Sequence, residues 1–152
     1  MNQKFMQVTI IGMMMLVMTL PAQTADFGVR VGSYTDMEEL FVGGELLTPL
    51  ARHTYLNPNI EYILLEDATY MTFNLDAHYD FFHSRRAFMW AGAGLAIQYF
   101  DWDGKDNSNT ETGLNLLMGL GFDTVGDVTP YIQGKLILGD YDDFVIGLGL
   151  RF

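Results

Sequence analysis

The segment FVIGLGLRF, residues 144–152, decides the fold, because every second residue in it is large and apolar. This period of two is typical of a β-strand with one apolar face. The apolar face consists of Phe144, Ile146, Leu148, Leu150 and Phe152. The other face carries Val145, two glycines and Arg151. The segment therefore predicts a strand whose two faces meet different surroundings.

The same period continues upstream, where turn-rich segments separate further runs of this kind. Eight runs cover residues 27–34, 40–47, 56–65, 69–80, 87–100, 112–123, 129–138 and 144–152. Sorting each run by parity gives one face that is apolar throughout. Short strands at regular spacing are typical of an all-β barrel or sandwich. The sequence therefore predicts an all-β chain of eight strands.

The second face of the runs decides between a soluble barrel, which turns its apolar face inward, and a membrane barrel, which turns it toward lipid. That face holds few charges and ten glycines, namely Gly28, Gly32, Gly43, Gly92, Gly94, Gly113, Gly119, Gly121, Gly147 and Gly149. Glycine within a strand is unfavourable, so many on one face indicate crowding there. The interior of a narrow barrel is crowded in this way. We therefore predict an eight-stranded antiparallel up-and-down transmembrane β-barrel.

Charges on the predicted inner face are equal in number. The basic residues are Arg30, Lys135 and Arg151, and the acidic residues are Glu45, Glu61 and Asp76. A charge in a narrow interior needs a partner, because an unpaired one costs several kcal/mol. The sequence therefore favours a paired charge network that fills the lumen. The alternative is a narrow pore for ions or very small solutes.

The N-terminal segment is predicted to be a secretory signal peptide, residues 1–25. Lys4 precedes an apolar run at residues 8–20, and Pro21 and small residues follow up to Ala25. Cleavage is expected between residues 22 and 25, which leaves an outer-membrane β-barrel domain at residues 26–152. The absence of cysteine excludes a disulfide scaffold, and the net charge of −11 argues against nucleic acid or an anionic membrane surface as partner.

Catalytic and cofactor motifs are absent from the sequence, which predicts no enzyme, no cofactor and no metal centre. His53, His83 and Ser84 lie in predicted turns without a third group to complete a triad, and His78 is expected to be a hydrogen-bonded structural histidine in the lumen. Two other classes stay open as alternatives. One is a lipid-modifying enzyme of the membrane, and the other is a secreted soluble barrel that binds an apolar ligand.

The predicted connections at one end of the barrel are strongly acidic. Within them DWDGKDNSN, residues 101–109, offers oxygen ligands for a divalent cation, although the spacing differs from that of an EF-hand loop. A solvated surface is the favoured interpretation. At the opposite end Arg52, Arg85 and Arg86 give positive charge, which could contact lipid headgroups or peptidoglycan; the favoured interpretation is no specific role.

Three segments carry a resemblance to a known family. They are FMWAGAGLAIQYF (88–100), VTPYIQGKLIL (128–138) and FVIGLGLRF (144–152). The predicted barrel domain resembles the small outer-membrane β-barrels of Gram-negative bacteria, of the type of outer membrane protein X and the barrel domain of outer membrane protein A.

The resemblance implies a monomer in the outer membrane, surrounded by membrane lipids and lipopolysaccharide. It also implies that periplasmic chaperones and the barrel-assembly machinery handle the chain, with Phe144, Ile146, Leu148, Leu150 and Phe152 as the assembly signal. One departure is expected. The connections assigned to the outside are short except residues 101–111, while inner ones such as TPLARHTY (48–55) are longer than usual. This argues against a function that needs long surface loops.

Overall fold

A computed structural model describes residues 25–66, 68–102, 108–139 and 142–152. They form eight antiparallel strands in one closed barrel. The strands are β1 (Asp26–Tyr34), β2 (Glu39–Ala51), β3 (Thr54–Ile63), β4 (Ala68–His83), β5 (Ala87–Trp102), β6 (Ser108–Phe122), β7 (Thr129–Gly139) and β8 (Asp143–Arg151). Each strand pairs with the next along the chain, and β8 pairs with β1. The predicted fold is confirmed, and the predicted signal peptide lies outside the described residues except for Ala25.

The two ends of the barrel are named here by the termini. The terminal end carries Asp26 and Phe152, together with the connections at residues 52–53, 84–86 and 123–128. The distal end carries the connections at residues 35–38, 64–67, 103–107 and 140–142. All but one of these connections are shorter than six residues, so neither end carries a long loop.

Two predicted connections are wrong in length. TPLARHTY was expected to be a long connection, but β2 runs on to Ala51 through a register shift at Pro49, and only Arg52 and His53 remain between the strands. His53 has a φ of 61°, the left-handed conformation that closes so tight a turn. The expected loop at 101–111 is also shorter, because β5 continues to Trp102 and β6 begins at Ser108.

The two faces of the wall have opposite polarity. Large apolar side chains point outward and are exposed; Leu95 and Leu114, for example, are each 57% exposed. Charged and amide side chains are buried inside, among them Arg30, Glu61 and Lys135. This is the reverse of a soluble protein, in which exposed apolar patches stay small. Within the described residues, no helix is long and apolar enough to span a bilayer.

A β-bulge widens β4 near the terminal end. Asp80 pairs with Trp90 and Phe82 pairs with Met89, so Phe81 is an extra residue in β4. Without the bulge Phe82 would alternate inward. With it, Phe81 and Phe82 are both about half exposed.

Candidate functional site in the barrel lumen

Glu61 on β3 is the most heavily bonded carboxylate of the lumen. Lys135 Nζ lies 2.9 Å from Glu61 Oε1 and 2.8 Å from Oε2, and Arg30 Nη2 lies 3.1 Å from Oε1. The Tyr34 hydroxyl donates a hydrogen bond to Oε2, as does Thr72 Oγ1 at 3.1 Å. Charge-assisted hydrogen bonds of this kind offset the cost of removing the ions from water. Glu61 therefore ties β1, β4 and β7 to β3 through the interior.

Glu45 on β2 forms a second centre that shares Arg30 with the first. Arg151 Nε donates to Glu45 Oε1 at 2.7 Å, and Arg30 Nη1 lies 3.6 Å from Oε2. Asn57 Nδ2 also donates to Oε2 at 3.0 Å, and to the Leu46 carbonyl oxygen at 2.9 Å. The pairing of β2 with β3 is interrupted between Glu45–Asn59 and Thr48–Leu56, where Pro58 has no N–H to donate, and Asn57 donates to the Leu46 carbonyl oxygen in this gap.

Asp76 on β4 differs from the other two carboxylates. Among the described residues it forms no ion pair, although it is fully buried. Its partners are amides: Asn59 Nδ2 donates to Oδ2 at 2.9 Å, and Asn115 Nδ2 donates to Oδ1 at 2.8 Å. Asn74 connects these two amides, at 3.0 and 2.9 Å.

The structure thus brings five of the six predicted lumen charges into one chain of ion pairs and places Asp76 in a separate amide cluster. Sequence reasoning did not identify the asparagines as the partners of Asp76. The alternation of the strands could have indicated them, because it places Asn59, Asn74 and Asn115 on the inner face with Asp76.

Apolar layers lie above and below the charges. The distal layer consists of Tyr34, Phe41, Ile63, Tyr70, Ala96, Ile137 and Val145. The terminal layer consists of Trp90, Leu117 and Tyr131, with Phe88 packed against it. The guanidinium of Arg151 lies 5.0 Å from the Trp90 ring centroid and 4.3 Å from that of Tyr131, within range of cation–π attraction. The charged layer is therefore enclosed between two layers of large side chains.

Glycines make room for the large side chains of these layers. Gly119 lies directly across from Trp90, Gly121 from Phe88, and Gly149 from Tyr131. A Cβ atom at any of these glycines would come closer than 3.0 Å to the ring opposite. Three of the ten glycines predicted to mark a crowded interior, Gly119, Gly121 and Gly149, therefore each accommodate a ring on the neighbouring strand.

His78 corrects an expectation from the sequence. The imidazole is buried in the lumen as predicted, but neither ring nitrogen has a hydrogen-bond partner among the described residues. It packs instead against two rings, with centroid distances of 5.6 Å to Tyr55 and 5.5 Å to Trp90. The histidine is held by aromatic contact because its neighbours in this layer are rings and not carboxylates.

The turn residues considered for catalysis make structural contacts. Ser84 Oγ donates to the Ala87 carbonyl oxygen at 2.9 Å, and His83 stacks on Phe88 with Nε2 3.6 Å from Asp123 Oδ2. His53 packs against Tyr79, 6.4 Å between centroids. The Ser84 hydroxyl is thus bonded to backbone and not to a histidine.

The acidic distal end holds eight described carboxylates, on Asp36, Glu38, Glu39, Glu66, Asp101, Glu111, Asp142 and Asp143. Asp67, Asp103, Lys105, Asp106 and Asp140 lie outside the described residues, and with them most of the segment considered for a divalent cation. In the part of the chain that the structure describes, no three His, Asp or Glu side chains cluster so as to hold a metal ion.

The five residues implied as an assembly signal all point away from the lumen. Phe144, Ile146, Leu148, Leu150 and Phe152 are each exposed by more than a third. Phe152 continues the pairing with β1 beyond Arg151, because its N–H donates to the Phe27 carbonyl at 2.8 Å and its carbonyl accepts from the Phe27 N–H at 3.3 Å. The last residue of the sequence is thus bonded into the closing seam.

Comparison with known proteins adds to this geometry. No family model and no curated protein matches the chain. Solved structures do: the N-terminal β-barrel domain of OprF from Pseudomonas aeruginosa matches with a TM-score of 0.72 and 19% identity, over 84% of this chain and 95% of that chain. The chain has the fold of the small outer-membrane β-barrels.

Two further small barrels match with lower scores. Neisserial surface protein A matches with a TM-score of 0.62 and 15% identity, over 84% of this chain and 92% of that chain. Ail from Yersinia pestis matches with a TM-score of 0.53 and 14% identity, over 84% of this chain and 97% of that chain. Ail is an outer membrane protein whose structure in a phospholipid bilayer nanodisc also matches. The predicted resemblance is confirmed at the level of the fold.

Proposed function

We propose that the protein is an integral outer-membrane β-barrel with a structural or surface-interaction role and a filled polar lumen. The observation that carries the proposal is the reversed polarity of the wall, apolar outside and charged inside. In water the exposed apolar band would cause aggregation, whereas in a bilayer it contacts the acyl chains of the lipids. The alternative of a secreted soluble barrel with an apolar interior does not fit this polarity.

The location follows from the same polarity together with the matched barrels, among them the outer membrane protein Ail. Export by a signal peptide at residues 1–25 and assembly by the barrel-assembly machinery and chaperones belong to the proposal. So does the role of the exposed face of β8 as the assembly signal. The barrel is proposed to act as a monomer with membrane lipids and lipopolysaccharide around it.

The filled lumen is proposed because an ion crossing the barrel would meet three barriers in series. It would have to pass the distal apolar layer, separate the pairs that Glu61 and Glu45 form, and pass the ring of Trp90. Separating a buried ion pair without replacing it costs several kcal/mol. We propose no catalytic role, because the Ser84 hydroxyl donates to the Ala87 carbonyl oxygen, while His83 stacks on Phe88 and faces Asp123.

The location is tested by separating membranes from cells that express the full chain. The protein should be found with the outer membrane, and unboiled samples should migrate on a gel differently from boiled ones, because a folded barrel resists the detergent. Recovery from the soluble periplasmic fraction would contradict the proposal.

The filled lumen is tested in a planar bilayer with the refolded barrel. The three barriers predict no steady conductance steps in 1 M salt. Reproducible steps of one size would instead support the narrow pore, which is the second function that the sequence left open.

A further inference from the structure

The bulge of β4 places an aromatic cluster at one point on the rim of the terminal end. Tyr79, Phe81 and Phe82 follow one another closely along β4, and each is about half exposed. Regular alternation would have exposed two of them and turned the third inward. The extra residue therefore concentrates three rings on the lipid-facing side, where the apolar wall meets the polar end of the barrel.

Exposed arginines lie in the two turns that adjoin this end of β4. The chain turns directly after His83 and exposes Arg85 and Arg86. The β2–β3 turn exposes Arg52 and is joined to β4 by a hydrogen bond of 2.9 Å from the Asp80 N–H to the His53 carbonyl oxygen.

Asp123 adjoins the β4–β5 turn: its N–H donates to the Arg86 carbonyl oxygen at 3.0 Å, and its Oδ2 lies 3.6 Å from His83 Nε2. Asp80 is partly buried beneath the bulge. The other acidic groups of the terminal end, Asp26 and Asp127, belong to the start of β1 and the β6–β7 connection. Two turns next to the bulge thus carry three exposed arginines. We name the bulge patch the set Tyr79, Phe81, Phe82, Arg52, Arg85 and Arg86.

The net charge of the chain is negative, although arginines are concentrated near the bulge. A net charge of −11 argues against an anionic partner. However, the described carboxylates are concentrated at the distal end, while all three exposed arginines of the described residues belong to the bulge patch. Around the bulge, three exposed arginines outnumber the one exposed carboxylate, that of Asp123.

We propose that the bulge patch binds the headgroup of an anionic phospholipid. Guanidinium groups recognise phosphate by paired hydrogen bonds. Aromatic rings at the edge of an apolar wall lie at the level of lipid headgroups. The rings continue the lipid-facing surface of β4, so the arginines stand where a lipid phosphate would be. A free phosphate ion would gain nothing from the rings, which is why the occupant is a lipid. This inference rests on the proposed membrane location.

The test uses the full barrel refolded into phosphatidylcholine vesicles that contain a trace of spin-labelled phosphatidylglycerol or spin-labelled phosphatidylcholine. Paramagnetic resonance gives the fraction of each label held at the protein surface. We expect preferential retention of phosphatidylglycerol, and a loss of about fivefold in relative affinity for each arginine removed in Arg85→Gln and Arg86→Gln. Phe82→Ala should also weaken the retention.

Matched controls separate the site from general effects. Lys105→Gln removes the same charge from the β5–β6 connection, and Phe27→Ala removes an exposed ring from β1 at the terminal end; both should retain the preference. Equal retention of the two lipids by the wild-type barrel would overturn the inference, as would an equal loss in Lys105→Gln, or loss of the preference on adding inorganic phosphate alone. Failure of the wild type to enter vesicles as a folded barrel would instead overturn the proposed function.

Discussion

At the scale of single residues, two lumen carboxylates that are equally buried are expected to contribute differently to the free energy of unfolding. Glu61 and Asp76 are both fully buried, yet Glu61 is bonded by two cations and Asp76 by neutral amides. Removing one member of a buried ion pair leaves an uncompensated charge, whereas removing a charge that only amides hold leaves none. The two positions therefore form a natural comparison.

Glu61→Gln should lower the free energy of unfolding by about 3–5 kcal/mol, because Lys135 and Arg30 lose the carboxylate between them. Asp76→Asn makes the same chemical change and should cost about 1 kcal/mol, the value of one altered hydrogen bond. Urea unfolding of the refolded barrels in detergent measures both. A cost for Asp76→Asn equal to that for Glu61→Gln would contradict this division of the lumen.

At the scale of strands, Gly119, Gly121 and Gly149 each lie opposite a ring on the next strand. Gly119 on β6 and Trp90 on β5 are direct partners, so a methyl group on one collides with the other. Outward-facing Gly44 has no such constraint. Gly44 on β2 has nothing closer than 3.8 Å to a Cβ atom.

Gly119→Ala should therefore destabilise the barrel by about 1–3 kcal/mol through overpacking. Gly44→Ala should be neutral or slightly stabilising, because alanine restricts the unfolded chain and meets no neighbour. Combining Gly119→Ala with Trp90→Leu should recover part of the loss. The midpoint of thermal unfolding in detergent measures all three, and a harmless Gly119→Ala would show that the ring does not need the glycine.

At the scale of the whole molecule, the pair Arg151–Glu45 joins β8 to β2 across β1, and so spans the seam where the barrel closes. Most of the architecture could be predicted from the sequence, because a period of two assigns every residue of a strand to one face. Individual pairings could not. Parity places Asp76 and Lys135 in the same lumen but gives no distance, and only the register of the strands shows that Lys135 reaches Glu61.

Two irregularities of strand pairing could not be predicted from the sequence, the register shift at Pro49 and the bulge of β4. The strand at Pro49 was ended too early because proline interrupts a regular ladder, while the actual strand absorbs it in a register shift. The aromatic cluster of the bulge patch was not foreseen, because one inserted residue changes the parity of all that follow and leaves no mark in the composition.

Closure can be tested through its ion pair. Glu45→Gln and Arg151→Ala should each lower the thermal midpoint of the refolded barrel, and Arg151→Ala more so, because it also removes the guanidinium from between Trp90 and Tyr131. The unboiled gel band gives the midpoint as it disappears on heating. Unchanged midpoints in both variants would rule out a stabilising role for the lumen network.

The pairing of glycine with ring also governs how such a barrel can change over generations. A lineage that enlarges Gly149 must first shrink Tyr131, and one that enlarges Gly121 must shrink Phe88. Either substitution alone gives a less stable protein, so the two positions of each pair should covary among related sequences. In related barrels the large side chain of such a pair would then lie on either of the two neighbouring strands, with the interior volume unchanged. Their sequences would diverge widely while the shape of the barrel stays the same.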